Sequence, residues 1–201
     1  RPPLGACAQA SGPVVTPHSF RAAGKTHKYT ATAGRLPIRD QATGEVHGEM
    51  FFTAYRMASR TPRPVAFIWN GGPGANSILL HFEAFGPRTF SEGQLTDNQA
   101  TLLSAADLVF VDPIGTGFSR PTLRDYEAEF YNTLGDHQSV AEFIRTWKLR
   151  FDAQDAPVFL IGESFGTWRA AGIAEIMAKR RQPVAGIVLI SGGAGVGEGY
   201  S

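Results

Sequence analysis

Four short apolar runs constrain this chain more than anything else in it. They are VAFIW (Val65–Trp69), LVFV (Leu108–Val111), VFLI (Val158–Ile161) and GIVLI (Gly186–Ile190). Each stops at a glycine-bearing turn or, after Val111, at Asp112-Pro113. Runs this short suit strands better than helices, and unbroken hydrophobicity predicts strands covered on both faces. Between them lie helical patterns. Val140, Phe143, Ile144 and Trp147 fall at helical spacing behind Asp136, which predicts an amphipathic helix from about Asp136 to Arg150. A second helix is predicted from about Thr167 to Arg181, stopped by Pro183, with Lys179-Arg180-Arg181 offsetting its macrodipole. Buried strands alternating with helices make an open, mostly parallel α/β sheet with flanking helices. Such sheets carry their chemistry at the C-terminal strand ends, where the glycine-rich stretches of this chain fall.

The region upstream reads differently. Residues 1–26, rich in Pro, Gly, Ala and Ser, read as a tail or signal remnant, and residues 27–201 as the catalytic-type domain. His27–Ala33 and Val46–Tyr55 read as antiparallel strands, with Gly34, Pro37 and Asp40–Gly44 as punctuation and Thr61–Pro64 as a break. The 201 residues are 43% apolar and 18% charged, enough to bury a sizeable core. A net charge of +1 gives no field that favours a nucleic-acid partner. Cys7 is the only cysteine, so no internal disulfide forms. No apolar run approaches the ~18 residues of a membrane span. Ala6-Cys7-Ala8 and Ala8-Gln9-Ala10 fit a small-x-small cleavage pattern, and LGAC resembles a lipid-attachment box. Both point to an exported protein, periplasmic or extracellular. No Cys/His cluster and no phosphate loop with its lysine is present, so no metal and no cofactor is expected.

The most specific motif is Gly162-Glu163-Ser164-Phe165-Gly166, a G-x-S-x-G between a predicted strand and a predicted helix. A turn this tight admits only small residues around the serine and lifts its hydroxyl into the open. The helix N-terminus there favours developing negative charge. Ser119 and Ser191 also lie near strand ends but in no such elbow. A nucleophilic serine needs an oxyanion hole. One donor is the N–H of the next residue, Phe165, and the other comes from an earlier loop. Asn70-Gly71-Gly72-Pro73-Gly74 suits that loop, because glycine lets backbone N–H groups approach substrate without a Cβ in the way, and Pro73 stiffens the turn.

WNGGPGANS, VDPIGTGFSR and GESFG, in this order and spacing, resemble the serine carboxypeptidase family, especially its bacterial members. YTATAGRLPIRD is similar to their N-terminal strand region, and the resemblance runs from about Lys28 to Gly193. It implies an α/β-hydrolase that removes C-terminal residues from peptides through an acyl-enzyme on Ser164. It implies Gly72 and Phe165 N–H groups as the oxyanion hole, and Asn70, the Gly71 backbone and Glu163 as the site for the substrate carboxylate. A further family glutamate precedes a Gly-Pro pair; Glu83 before Gly86-Pro87 matches it, although its spacing from Asn70 departs by one residue. Asp112, Gly115 and Gly117 are expected to shape their loop. Beside Glu163 a substrate carboxylate must share a proton to avoid like-charge repulsion, which implies tighter binding at acidic pH. Ala75-Asn76 departs from the cysteine and serine that many members carry there, and the lone Cys7 cannot supply the disulfides of eukaryotic members.

No histidine and no aspartate follows Ser164, whereas the triad order in this fold is Ser, then Asp or Glu, then His. His81 and His137 read as structural, His18, His27 and His47 belong to the tail or early strands, and Glu175 is expected in solvent. The chain is therefore expected to be the N-terminal portion of a longer enzyme, and inactive and poorly stable alone. Its expected partners are peptides or proteins with free C-termini, and a missing segment or second chain that carries Asp and His. The alternatives are another α/β-hydrolase (esterase, aminopeptidase or acyltransferase) and a non-catalytic remnant that binds peptide C-termini. Prolyl-type aminopeptidases usually carry His before Gly-Gly-Pro-Gly, where this chain has Asn70.

Overall fold

The computed structural model describes residues 12–72 and 74–192. Residues 1–11, where the export signal is expected around Cys7, lie outside them, as does Pro73 with the stiffening expected of it.

The chain opens with three long antiparallel strands: β1 (Val14–Ala22), β2 (Lys25–Arg39) and β3 (Val46–Arg56). The tail expected up to residue 26 is thus strand from Val14 onward. Only Phe20 and Ala22 of β1 are buried, so it has no alternating apolar signal, and pairing with β2 from Val14↔Ala33 to Ala22↔Lys25 holds it. β2 runs on through Gly34 and Pro37, the expected punctuation between strands. Among the described residues β1 pairs with β2 only as far as Ala33, so no described strand faces Pro37 on that side.

The four apolar runs form the parallel part of the sheet. They are β4 (Val65–Trp69), β7 (Asp107–Val111), β9 (Val158–Glu163) and β10 (Gly186–Ile190). Between β4 and β7 come a π-helical turn (Leu80–Phe85) and a small hairpin of β5 (Arg88–Ser91) and β6 (Gln94–Asp97). The two-residue β8 (Arg120–Pro121) pairs with β3. The strand order is β1-β2-β3-β7-β4-β9-β10, with β7, β4, β9 and β10 parallel.

The described residues include three α-helices: the short α1 (Glu127–Phe130) and α2 (Thr133–Arg150) before β9, and α3 (Gly166–Lys179) between β9 and β10. α2 starts a turn earlier than Asp136 because the Asn132 side chain caps it, accepting from Gly135 N–H at 2.8 Å. α3 ends at Lys179 instead of Arg181, with Arg181 in a left-handed conformation.

Strand alternation divides the core. Val65, Phe67 and Trp69 of β4 face Phe143, Ile144 and Trp147 of α2 and Ala170 and Ile173 of α3. Ala66 and Ile68 face Phe20, Tyr55, Leu103 and Phe110 on the other side. Each fully buried large side chain contributes roughly 1.5–3 kcal/mol. β10 departs from the expectation of a strand covered on both faces: Ile187, Val188 and Leu189 are 41–57% exposed. It is the last strand of the sheet, with β9 on one side and no described strand on the other.

His81 sits within the second core. Its ring stacks between Phe82 and Phe110, at centroid distances of 4.0 and 4.3 Å, and Nε2 is hydrogen-bonded to the Tyr55 hydroxyl at 2.5 Å. Burial pushes its pKa from 6.5 down to about 4. Above pH 6.5 the imidazole is neutral in both folded and unfolded chains. Below it the unfolded chain takes up a proton that the folded core refuses, so stability falls as the pH drops toward 4. Urea unfolding of wild type and His81→Phe from pH 7 to pH 4 should show a loss of roughly 1–3 kcal/mol in the wild type that the variant lacks. Parallel pH profiles would contradict this assignment.

Candidate active site

β9 ends at Glu163 and α3 begins at Gly166, which leaves two residues for the reversal. Ser164 takes it with φ of 52°, a left-handed conformation that a non-glycine residue adopts at a cost of roughly 1–2 kcal/mol. The surroundings impose that strain. Ser164 N–H donates to Ile190 O at 2.9 Å, and Ser164 O accepts from Thr167 N and Oγ1 at 3.0 and 2.7 Å. The Ser164 residue stays exposed at the C-terminal edge of the parallel strands. The two motif glycines have steric reasons. A Cβ on Gly162 would run into the Gly166 carbonyl, and one on Gly166 would lie 2.8 Å from the Trp69 ring. Trp69 Nε1 donates to that same carbonyl at 2.9 Å, fastening the elbow to β4.

The glycine loop after β4 meets the elbow directly. A Cβ on Gly71 would lie 2.7 Å from both Glu163 O and Ser164 Cβ and 2.9 Å from Phe165 N. Gly71 is buried against the elbow while Gly72, at φ of 118°, is exposed. Glu163 Oε2 accepts from Gly71 N–H at 3.1 Å and, more weakly, from Asn70 Nδ2 at 3.5 Å. Asn70 is itself buried, its Oδ1 accepting from Leu80 N–H at 3.1 Å. The fold therefore gathers Asn70, Gly71, Gly72, Glu163, Ser164 and Phe165 at one place. Glu83 is exposed on the π-helical turn that starts at Leu80, and no hydrogen bond among the described residues joins it to Asn70 or Glu163.

The loop after β7 is braced. Ser77 and Phe118 N–H groups donate to the Asp112 carboxylate, and the Ser77 hydroxyl bonds to Val111 O. Burial pushes the Asp112 carboxyl up, partly offset by those two N–H donors. Gly115 and Gly117 both have positive φ, and Gly117 packs against the same carboxylate. Ser119 is buried, with Oγ accepting from Phe51 N–H and donating to Asp112 O, so it is a brace and no nucleophile.

Three contributors escaped the sequence reading. Trp69 looked like plain strand. Arg169 is 3% exposed, and its Nε donates to Asp136 at 2.6 Å. Asp136 looked like a helix-start carboxylate only. Arg169 and Asp136 border a cleft of about 400 Å³ beside Gly74 and Phe165, with Thr116 and Tyr131 on its other walls. A larger cavity, about 660 Å³, lies at the opposite strand ends around Asp107, Arg56 and Arg63, away from Ser164. Among the described residues no histidine hydrogen-bonds Ser164. His47 is bonded to Glu129 and stacked on Tyr126, and together with Asp40 these make a small surface cluster. The ring of His137 lies over Gly172 of α3. Glu175 is exposed and paired with Lys179.

The family model for serine carboxypeptidase matches residues 26–200. The chain belongs to the serine carboxypeptidase family. It is 31% identical over 153 residues to the pheromone-processing carboxypeptidase of Arthroderma otae, covering 75% of this chain and 23% of that one. It is 34% identical over 125 residues to the retinoid-inducible serine carboxypeptidase of Mus musculus, covering 59% and 26%. The chain thus spans about a quarter of the length of these two relatives. The crystal structure of a prohormone-processing carboxypeptidase from Saccharomyces cerevisiae superposes with a TM-score of 0.67 at 23% identity, over 82% of this chain and 39% of that one. That likeness shows the α/β-hydrolase fold.

In this member of the family a Cβ at Gly71 would press on the elbow from the side of the glycine loop. Gly71→Ala should destabilise the protein by about 1–3 kcal/mol, because the loop must back away from the elbow. In the full-length protein it should also slow labelling of Ser164 by a serine-reactive phosphonate. A variant with wild-type melting temperature and labelling rate would show that the loop does not abut the elbow.

Proposed function

We propose that this chain carries the nucleophile half of a serine carboxypeptidase site. Ser164 Oγ attacks the carbonyl of the last peptide bond. The oxyanion that forms takes hydrogen bonds from Gly72 and Phe165 N–H, and the collapse of the intermediate expels the terminal amino acid and leaves an acyl-enzyme. Water then releases the shortened peptide. The general base and the carboxylate that orients it come from beyond Ser201 or from a second chain, in keeping with the small share of its relatives that this chain spans. The protein is exported in this reading, on the strength of the residues around Cys7. No helix among the described residues is long and apolar enough to cross a membrane.

The observation that carries this proposal is the Glu163 carboxyl, one residue before the nucleophile, bonded to the Gly71 N–H and the Asn70 amide. A carboxyl that can share a proton, with amide donors beside it, matches the needs of a substrate carboxylate next to the serine. A carboxypeptidase uses them to hold the terminal carboxylate, which fixes the scissile bond over Ser164. In the full-length protein, an N-blocked dipeptide with a free C-terminus should be cleaved with kcat/KM about 100-fold or more above its C-terminal amide, because a site built for a polar group discriminates against its absence. Ser164→Ala should abolish turnover of both. Equal cleavage of acid and amide would favour the esterase alternative. Binding of the acid without turnover or phosphonate labelling would favour the non-catalytic remnant.

The same carboxyl sets a pH dependence. With both groups ionised, Glu163 and the substrate carboxylate repel each other. As the pH falls one of them takes a proton and the repulsion becomes a hydrogen bond. KM for free-acid peptides should therefore rise from acidic to neutral pH, and Glu163→Gln should flatten that profile. A wild-type KM that does not change between pH 5 and pH 7.5 would contradict the shared proton.

A further inference from the structure

Gly72 and Phe165, the two proposed oxyanion donors, belong to separate segments, the loop after β4 and the start of α3. One side chain touches both segments. The Arg169 guanidinium lies 5.6 Å from the centroid of the Phe165 ring, over its face. Its Nη1 donates, at a long 3.5 Å, to the carbonyl of Asn70, two residues ahead of Gly72. Its Nε is tied at 2.6 Å to Asp136 Oδ2 in the first turn of α2. The Arg169 backbone N–H also donates to Phe165 O at 3.4 Å. The arginine side chain is 4% exposed and the aspartate side chain 16%.

We propose that Arg169, oriented by Asp136, is a positioning residue that holds the two halves of the oxyanion hole in register. This rests on the serine carboxypeptidase reading above. The chemistry suits the part. A guanidinium is planar, permanently charged and offers donors in a fixed fork. With Nε held by Asp136, the direction of Nη1 toward Asn70 O is set, while the flat face remains free to lie on Phe165. Removing the fork leaves the Gly72 end of the loop and the Phe165 ring free to drift apart by a fraction of an ångström, while Asn70 and Gly71 keep their other anchors. An oxyanion hole depends on donors fixed before the charge develops, so such drift is felt in the transition state.

The carboxylate end of the site is anchored differently. The Asn70 side chain is held by Leu80 N–H, and Gly71 N–H by Glu163. Loss of Arg169 should therefore lower kcat and leave KM nearly unchanged, whereas a general loosening of the fold would disturb both.

The test uses the full-length protein with Arg169→Met, Arg169→Lys and Asp136→Asn. Arg169→Met should lower kcat about 10- to 100-fold. KM should stay within about twofold of wild type. Affinity for a peptide boronic acid, which places an oxygen in the oxyanion hole, should fall in proportion to kcat, while affinity for the free-acid product stays constant. Arg169→Lys should remain defective, because an ammonium carries all its donors on one nitrogen and has no flat face to lie on Phe165, so it cannot span Asp136 and Asn70 O as the fork does. Asp136→Asn should give a milder defect of the same pattern. If Arg169→Met does not fold, the lysine and asparagine variants, which change least in volume, carry the comparison. A kcat restored by Arg169→Lys, or a KM rise with kcat intact, would overturn the assignment while leaving the enzyme reading in place. A wild-type protein that neither turns over peptides nor labels at Ser164 would overturn the enzyme reading itself, and this role with it.

Discussion

The close approach of Gly71 to the turn at Ser164 is the contact on which the rest of the site depends. Two backbone segments separated by more than ninety residues of chain lie so near that no side chain fits between them. One ends β4 and the other ends β9, which are neighbours in the sheet, in register from Val65↔Val158 to Trp69↔Gly162. The parallel ladder thus delivers both segments to the same edge at the same height. Trp69 adds a side-chain bond from the last residue of β4 to the first turn of α3.

From that contact the chemistry follows in order. A serine held at positive φ presents its hydroxyl outward at a helix N-terminus. The glycine loop lies against that turn, with Gly71 at the point of contact. Asn70 and Glu163, the residues flanking the contact, bring an amide and a carboxyl beside Ser164. The buried Asp136–Arg169 pair locks α2 and α3 behind the same edge. Such a pair is expensive to bury and is a weak argument for stability by itself. A role in fixing geometry gives it a reason to be there.

Much of this was legible in the sequence, for identifiable reasons. Short unbroken apolar runs ending in glycine or in Asp-Pro marked the positions of all four parallel strands and the burial of three. G-x-S-x-G gave the elbow, because that geometry tolerates few residues. β1 stayed hidden because an edge strand held mainly by backbone pairing needs no apolar alternation. β10 misled for the converse reason: an apolar run reports the wish to be covered, and its outer face is still half exposed among the described residues. Arg169 and Asp136 were invisible as a pair because thirty-three positions of sequence separate them and only the packing of α2 on α3 brings them together. Glu83, legible only through the family pattern, occupies the turn that starts at Leu80 and, among the described residues, has no hydrogen bond to Asn70 or Glu163.

The most direct test of this account is a crystal structure of the full-length protein reacted with a peptidyl phosphonate. The account predicts an adduct on Ser164 Oγ with one phosphonyl oxygen about 2.7–3.1 Å from both Gly72 N and Phe165 N. A phosphonyl oxygen turned to solvent, or an adduct on a different residue, would contradict the claim that the glycine loop and the elbow meet to form an oxyanion hole.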